Sequence, residues 1–175
     1  FWDGWEQIYP LPDERINWDP LAELRNLVVH AADDEFVAEI GTLINIPNFL
    51  DYYLFINLAF AMDNTGKNTY LFRRDQYSSF IIFPWDMDGT WGRLWNGTAI
   101  GHDYYLTNRL YERLLETDTY HFRENIRQRW AELRRSNLSQ ERLTDMMMTD
   151  FNAIKKTGIY EIENMKWNTS VDYEA

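Results

Sequence analysis

The sequence predicts a mainly helical domain with one small β-hairpin, an α+β fold, and three observations carry that prediction. Apolar residues recur at helical spacing over most of the chain, one stretch between residues 69 and 85 is instead rich in aromatic and β-branched residues, and an acidic, glycine-containing loop lies on each side of that stretch. The 175 residues, 45% of them hydrophobic and 17% aromatic, suffice for one sizeable core and are too few for two generous ones. A single domain over residues 1–175 is therefore expected.

Residues 1–18 are rich in Trp, Pro and Asp without a period, which predicts an irregular segment anchored by aromatics. Asp19 before Pro20 predicts a helix with Asp19 as its N-cap and an apolar face of Leu21, Leu24, Leu27 and Val28. A second helix follows, capped by Asp33 or Asp34, with Phe36, Val37, Ile40, Leu43 and Ile44 on its buried side. From Pro47 to Met62 apolar residues surround nearly the whole circumference, as expected of a helix at the centre of the domain. It runs into a polar loop from Asp63 to Asn68.

Thr69–Arg74 and Ser79–Trp85 predict the two arms of the hairpin. A second acidic loop opens at Asp86, where Gly89 and Gly92 are expected to supply positive φ angles, and irregular chain continues to Asp103. Helices are then expected over Leu106–Glu116, about Tyr120–Arg135 and Ser139–Lys156, with Gly158 just past the last and a short tail closing the chain. The run Met146–Met148 is expected to fill core space.

Composition narrows the function. The formal charge of −11 argues against nucleic acid as a partner, because it repels phosphate backbones. With no cysteine, any metal would be held by carboxylate, amide or imidazole groups. The longest apolar stretch, Phe49–Met62, contains Asp51 and Asn57 and falls short of the roughly 20 residues a membrane span needs. The chain opens on Phe1 without an initiator methionine, so its natural N-terminus is expected upstream or processed away. His30, His102 and His121 lie on different segments without metal-ligand spacing, and surface or capping roles are expected for them.

The two acidic loops carry the chemistry. Phosphoryl transfer needs a carboxylate to orient and deprotonate the attacking hydroxyl, and oxygen ligands for the cation that neutralises the phosphates. Asp63 fits the first role; Asn68, five positions later, and Asp86, beyond the hairpin, offer an amide and a carboxylate oxygen suited to Mg²⁺ or Mn²⁺. Protein kinases place an aspartate, an asparagine and a second aspartate in this order. Lys67 within the first loop is a candidate for meeting a phosphate, against the plainer reading of a solvated charge.

The words around these residues are more specific. Asp63-Asn64, Asn68-Thr69-Tyr70-Leu71-Phe72-Arg73 and Phe83-Pro84-Trp85-Asp86-Met87-Asp88-Gly89-Thr90-Trp91-Gly92 resemble the CotH kinase family, as does Asn48-Phe49-Leu50-Asp51-Tyr52 upstream. The resemblance extends over nearly the whole chain. It implies an atypical protein kinase related to spore coat proteins, using ATP to phosphorylate serine-containing protein partners, with Asp63 as the base, Asn68 and Asp86 as metal ligands, and Asp88 either as a further ligand or as a residue behind the ligands. It also implies an N-terminal lobe with a phosphate-covering loop and a lysine–glutamate pair. No strand-rich region here supplies these, so the chain is expected to be the C-terminal, larger lobe of a kinase-like fold.

Three alternatives keep a place. In a haloacid-dehalogenase-like phosphohydrolase, Ile81-Ile82-Phe83 would lead into Asp86 as nucleophile, although that fold needs a parallel sheet and Pro84-Trp85 interrupts the approach. Asp86, Asp88 and Gly89 would also suit a Ca²⁺-stabilised binding module, but the EF-hand spacing fails, since Trp91 stands where glycine is required. A non-catalytic pseudokinase would carry the same fold for partner binding.

Overall fold

The computed structural model describes residues 4–101 and 103–170. These are mostly helical, with one small antiparallel sheet. They divide into two compact units, Phe1–Arg127 and Gln128–Ala175. His102 lies outside the described residues.

In the first unit, α1 (Asp19–Val29) buries Leu24, Leu27 and Val28. Asp19 is its first helical residue and Trp18 occupies the cap position without a side-chain cap bond, so the N-cap expected at Asp19 is displaced by one. The Asp19 N–H is instead accepted by Asn17 Oδ1 at 3.2 Å. In α2 (Asp33–Leu43) the cap is Ala32, and Asp33 and Asp34 sit in the first turn, where their charge still suits the helix dipole. Phe36 and Ile40 are buried, whereas Val37 is exposed.

The central helix α3 (Ile46–Ala59) starts at Asn45, whose side chain accepts the Asn48 N–H, and ends at Phe60 in the left-handed region, earlier than the expected Met62. It buries Phe49, Leu50, Tyr52, Tyr53, Leu54, Ile56 and Ala59. Its two asparagines hold chain on different sides. Asn48 Oδ1 accepts the Ile82 N–H at 2.7 Å and its Nδ2 donates to the Ile82 carbonyl at 3.3 Å. Asn57 treats Leu106 the same way, at 2.8 and 3.1 Å. Residues 48 and 57 lie nine positions apart, about 180° around a helix of 3.6 residues per turn. The helix is thus clasped from opposite sides.

A 3-10 turn (Met62–Thr65) leads into the hairpin of β1 (Thr69–Phe72) and β2 (Ile81–Pro84), paired from Thr69 opposite Pro84 to Phe72 opposite Ile81. The parallel sheet required by the phosphohydrolase alternative is not found among the described residues, where the only parallel pairing is a single bridge, Ile44 with Phe80.

Helix α4 (Arg109–Thr117) is shorter than expected and is capped by Asn108, which accepts from the Leu110 and Tyr111 amides. Arg113 on this helix is 2% exposed: it donates to the carbonyls of Leu27 and Val28 at 2.8 and 3.1 Å, pairs with Asp33 at 2.7 Å and lies 4.2 Å over the Phe36 ring. Tyr111 packs on Tyr53, ring centres 4.8 Å apart, and donates to the Phe49 carbonyl. After a 3-10 turn (Thr119–His121), α5 (Phe122–Arg135) begins with buried Phe122.

In the second unit, α6 (Gln140–Lys155) has Ser139 as its N-cap, as expected, and Gly158 lies beyond its end with φ 69°. A further helix, α7 (Ile159–Trp167), follows Gly158. No residue of α6 or α7 is buried. Met146, Met147 and Met148 are 55, 50 and 48% exposed, so they do not fill a core. Helical spacing announces an apolar face, and what covers that face is a tertiary matter.

Candidate active site

The fold brings the two acidic loops to the open end of the hairpin. Asn68 immediately precedes β1 and Trp85 immediately follows β2. The Trp85 N–H donates to the Asn68 carbonyl at 2.8 Å, extending the ladder by one bond. Asp63 and Asp86 lie a few residues outward on the same two chains.

Asn64 seals this end from below. Its side chain is 2% exposed and donates to the carbonyls of both Asn68 and Trp85, at 2.7 and 2.8 Å. Its own carbonyl accepts the Tyr52 hydroxyl at 2.7 Å, which ties the turn to α3. Burial raises the Tyr52 phenol far above its ordinary range, so it remains a donor. In the sequence Asn64 is only the neighbour of Asp63, with no sign of these contacts or of the bond from Tyr52. An asparagine in a polar loop looks like any turn residue, and its burial was the missing signal.

Asp63 sits on the 3-10 turn with its carboxylate 2.8 Å from the Lys67 ammonium. Lys67 is the junction of the site. Its pKa is raised first by its hydrogen bond and charge interaction with Asp63, and further by the charges of Asp86 and Asp88. One ammonium therefore feels all three loop carboxylates. Lys67 is exposed, so its pair with Asp63 is a solvent-screened surface contact and not a buried one.

The second loop departs from expectation in one respect. Positive φ angles occur at Asp86 (52°), Trp91 (54°) and Gly92 (76°), and Gly89 is not among them. Asn68 shares the conformation, with φ 54°. Two of the residues expected to bind metal thus have left-handed backbone, a region that Asn and Asp enter more readily than other non-glycine residues. The loop is anchored where the Trp91 N–H donates to the Ala59 carbonyl at the end of α3, at 2.7 Å. Trp85, Trp91 and Trp95 are exposed along it.

Among the described residues no three carboxylate or imidazole side chains gather closely enough to hold a metal ion by themselves. The ligand set read from the sequence does not require such a trio. Asn68, Asp86 and Asp88 comprise one amide and two carboxylates, a hard-oxygen set that leaves positions for phosphate and water. Lys67 pairs with Asp63 at 2.8 Å, and the negative charges of Asp86 and Asp88 also favour its charged form.

A mostly helical protein whose small hairpin presents two acidic loops defines the class. Residues 2–173 match the family model described as CotH kinase protein, and the chain belongs to that family. No curated protein and no solved structure matches it. Membership supports a kinase-like function and a relation to spore coat proteins. No helix among the described residues is long and apolar enough to cross a membrane.

Proposed function

We propose that the protein transfers the γ-phosphate of ATP to a serine or threonine hydroxyl of a protein substrate, and that residues 1–175 form the larger, C-terminal lobe of a kinase-like fold. The observation that carries this reading is that Asn64 and the Trp85–Asn68 bond set the loop of Asp63 and Asn68 beside the loop of Asp86, in the order along the chain that a kinase has. Asp63 orients the hydroxyl and takes its proton as the oxygen–phosphorus bond forms and ADP leaves. Asn68, Asp86 and Asp88 are assigned to a divalent cation, Mg²⁺ or Mn²⁺, which when bound neutralises phosphate charge. Lys67, which pairs with Asp63 at 2.8 Å, is assigned to a phosphate oxygen. The phosphate-covering loop and the lysine–glutamate pair are assigned to an upstream lobe outside these residues.

Transfer from labelled ATP to protein, with Mg²⁺ or Mn²⁺, tests the reading on the longer parent protein. Asp86→Asn should lower transfer by roughly 10²-fold or more, since loss of charge stabilisation at a transferring group costs about that much. Transfer undiminished in Asp86→Asn overturns the metal assignment. Release of free phosphate from phosphorylated substrates would favour the phosphohydrolase reading, and silence in both assays a pseudokinase.

A further inference from the structure

We infer that Asn64 is a positioning residue for the cation, its buried carboxamide fixing the separation of the two loops on which Asn68 and Asp86 stand. The inference rests on the metal reading above and extends it to a residue that reading leaves out. Strand pairing ends at Thr69 opposite Pro84. One more backbone bond, from Trp85 to Asn68, follows, and beyond it the two chains would be free to splay.

Asn64 supplies what the ladder no longer can. Its two amide protons reach the Asn68 and Trp85 carbonyls, one on each chain, at 2.7 and 2.8 Å. These carbonyls belong to one expected ligand and to the residue just before the other. Asn68 and Asp86 both have left-handed backbone, which turns each chain away from the ladder just where pairing ends. Few other side chains can do this. An aspartate would set a carboxylate against two carbonyls, and alanine would withdraw both donors from buried acceptors. The clamp is itself held, since Tyr52 donates to the Asn64 carbonyl and the Asn64 N–H donates to Ala61.

Residues that orient metal ligands change affinity by about 10- to 100-fold when removed. Mn²⁺ titration of the full chain, followed by loss of the free-ion electron paramagnetic resonance signal, reads this directly without any assay of transfer. The wild type should bind Mn²⁺ and Asp86→Asn should not. Asn64→Ala should weaken binding by about 10-fold or more, at a temperature where circular dichroism shows it folded. Arg113→Ala, destabilised in a different part of the fold, should keep wild-type affinity, which a purely structural role for Asn64 would not predict.

Asp86-dependent binding that Asn64→Ala leaves within about twofold of wild type overturns the inference alone. Wild-type binding that is absent or independent of Asp86 overturns the metal reading and the inference together. If Asn64→Ala does not fold, Tyr52→Phe decides: it removes only the hydroxyl that steadies the clamp, and unchanged Mn²⁺ affinity there overturns the proposal.

Discussion

Single side chains set the conformation of both loops and of the turn that joins the strands. Asp75 is the plainest case: its carboxylate accepts from the Tyr77 N–H at 2.9 Å, the Ser78 hydroxyl at 2.8 Å and Arg74 Nε at 3.1 Å. Arg73 adds donations to the Asp75 and Gln76 carbonyls. Hydrogen bonds from Ser78, Arg74 and the Tyr77 amide pull the Asp75 pKa from 3.8 down to about 2. A depressed carboxyl pKa stabilises the folded turn above the ordinary value, and the contribution is lost as pH falls through the folded one. An NMR titration of the Asp75 carboxyl should therefore give a midpoint near 2, with the turn intact at pH 4. A midpoint at 3.8 would contradict the bonds described. At this scale the sequence was informative about charge and silent about burial. Asp63, Asn68 and Asp86 stood out by their order and neighbours, whereas Asn64 carried no mark of the contacts it makes.

Between elements, Arg113 joins three helices. It lies on α4, takes the last carbonyls of α1 and meets Asp33 in the first turn of α2. The ion pair is lopsided, with Arg113 2% and Asp33 77% exposed. The carbonyl bonds and the Phe36 ring should therefore matter more than the charge partner. Arg113→Ala is expected to cost about 2–4 kcal/mol through unpaired buried carbonyls and a cavity. Asp33→Asn should cost less than about 1 kcal/mol. Urea unfolding measures both as midpoint shifts at constant slope, and equal losses would show the ion pair to be the stronger part. Elements with strong periods were legible, including α3, the hairpin and α6 with its Ser139 cap. The limits were local. Non-glycine residues in the left-handed region at Phe60 and Asp118 end α3 and α4, and nothing in the Phe60 side chain announces it. Helix α7 follows Gly158, which reads as a stop signal although it also serves as the next helix's N-cap.

Across the whole molecule, burial is uneven, and chemistry should report it. The first unit holds every residue described as buried, from Leu24 to Phe122. In the second, Phe151 stacks on Tyr160 at 5.8 Å, yet α6 and α7 bury nothing. Limited peroxide treatment followed by peptide mass spectrometry should oxidise Met146, Met147, Met148 and Met165 ahead of Met62, which is only half-buried beside Tyr104. Oxidation of Met62 first would show that α6 or α7 is covered. Length counts apolar residues without saying where they gather. The final consequence concerns α3, whose Asn48, Tyr52 and Asn57 grip the hairpin, the Asn64 turn and Leu106. One residue inserted between Asn48 and Asn57 would turn everything after it by about 100°. The rod would then address its neighbours in the wrong order, so evolution can vary the letters of this segment far more freely than their number. The turn around Asp75, whose described side-chain hydrogen bonds stay within residues 73–78, is where an insertion is expected to cost least.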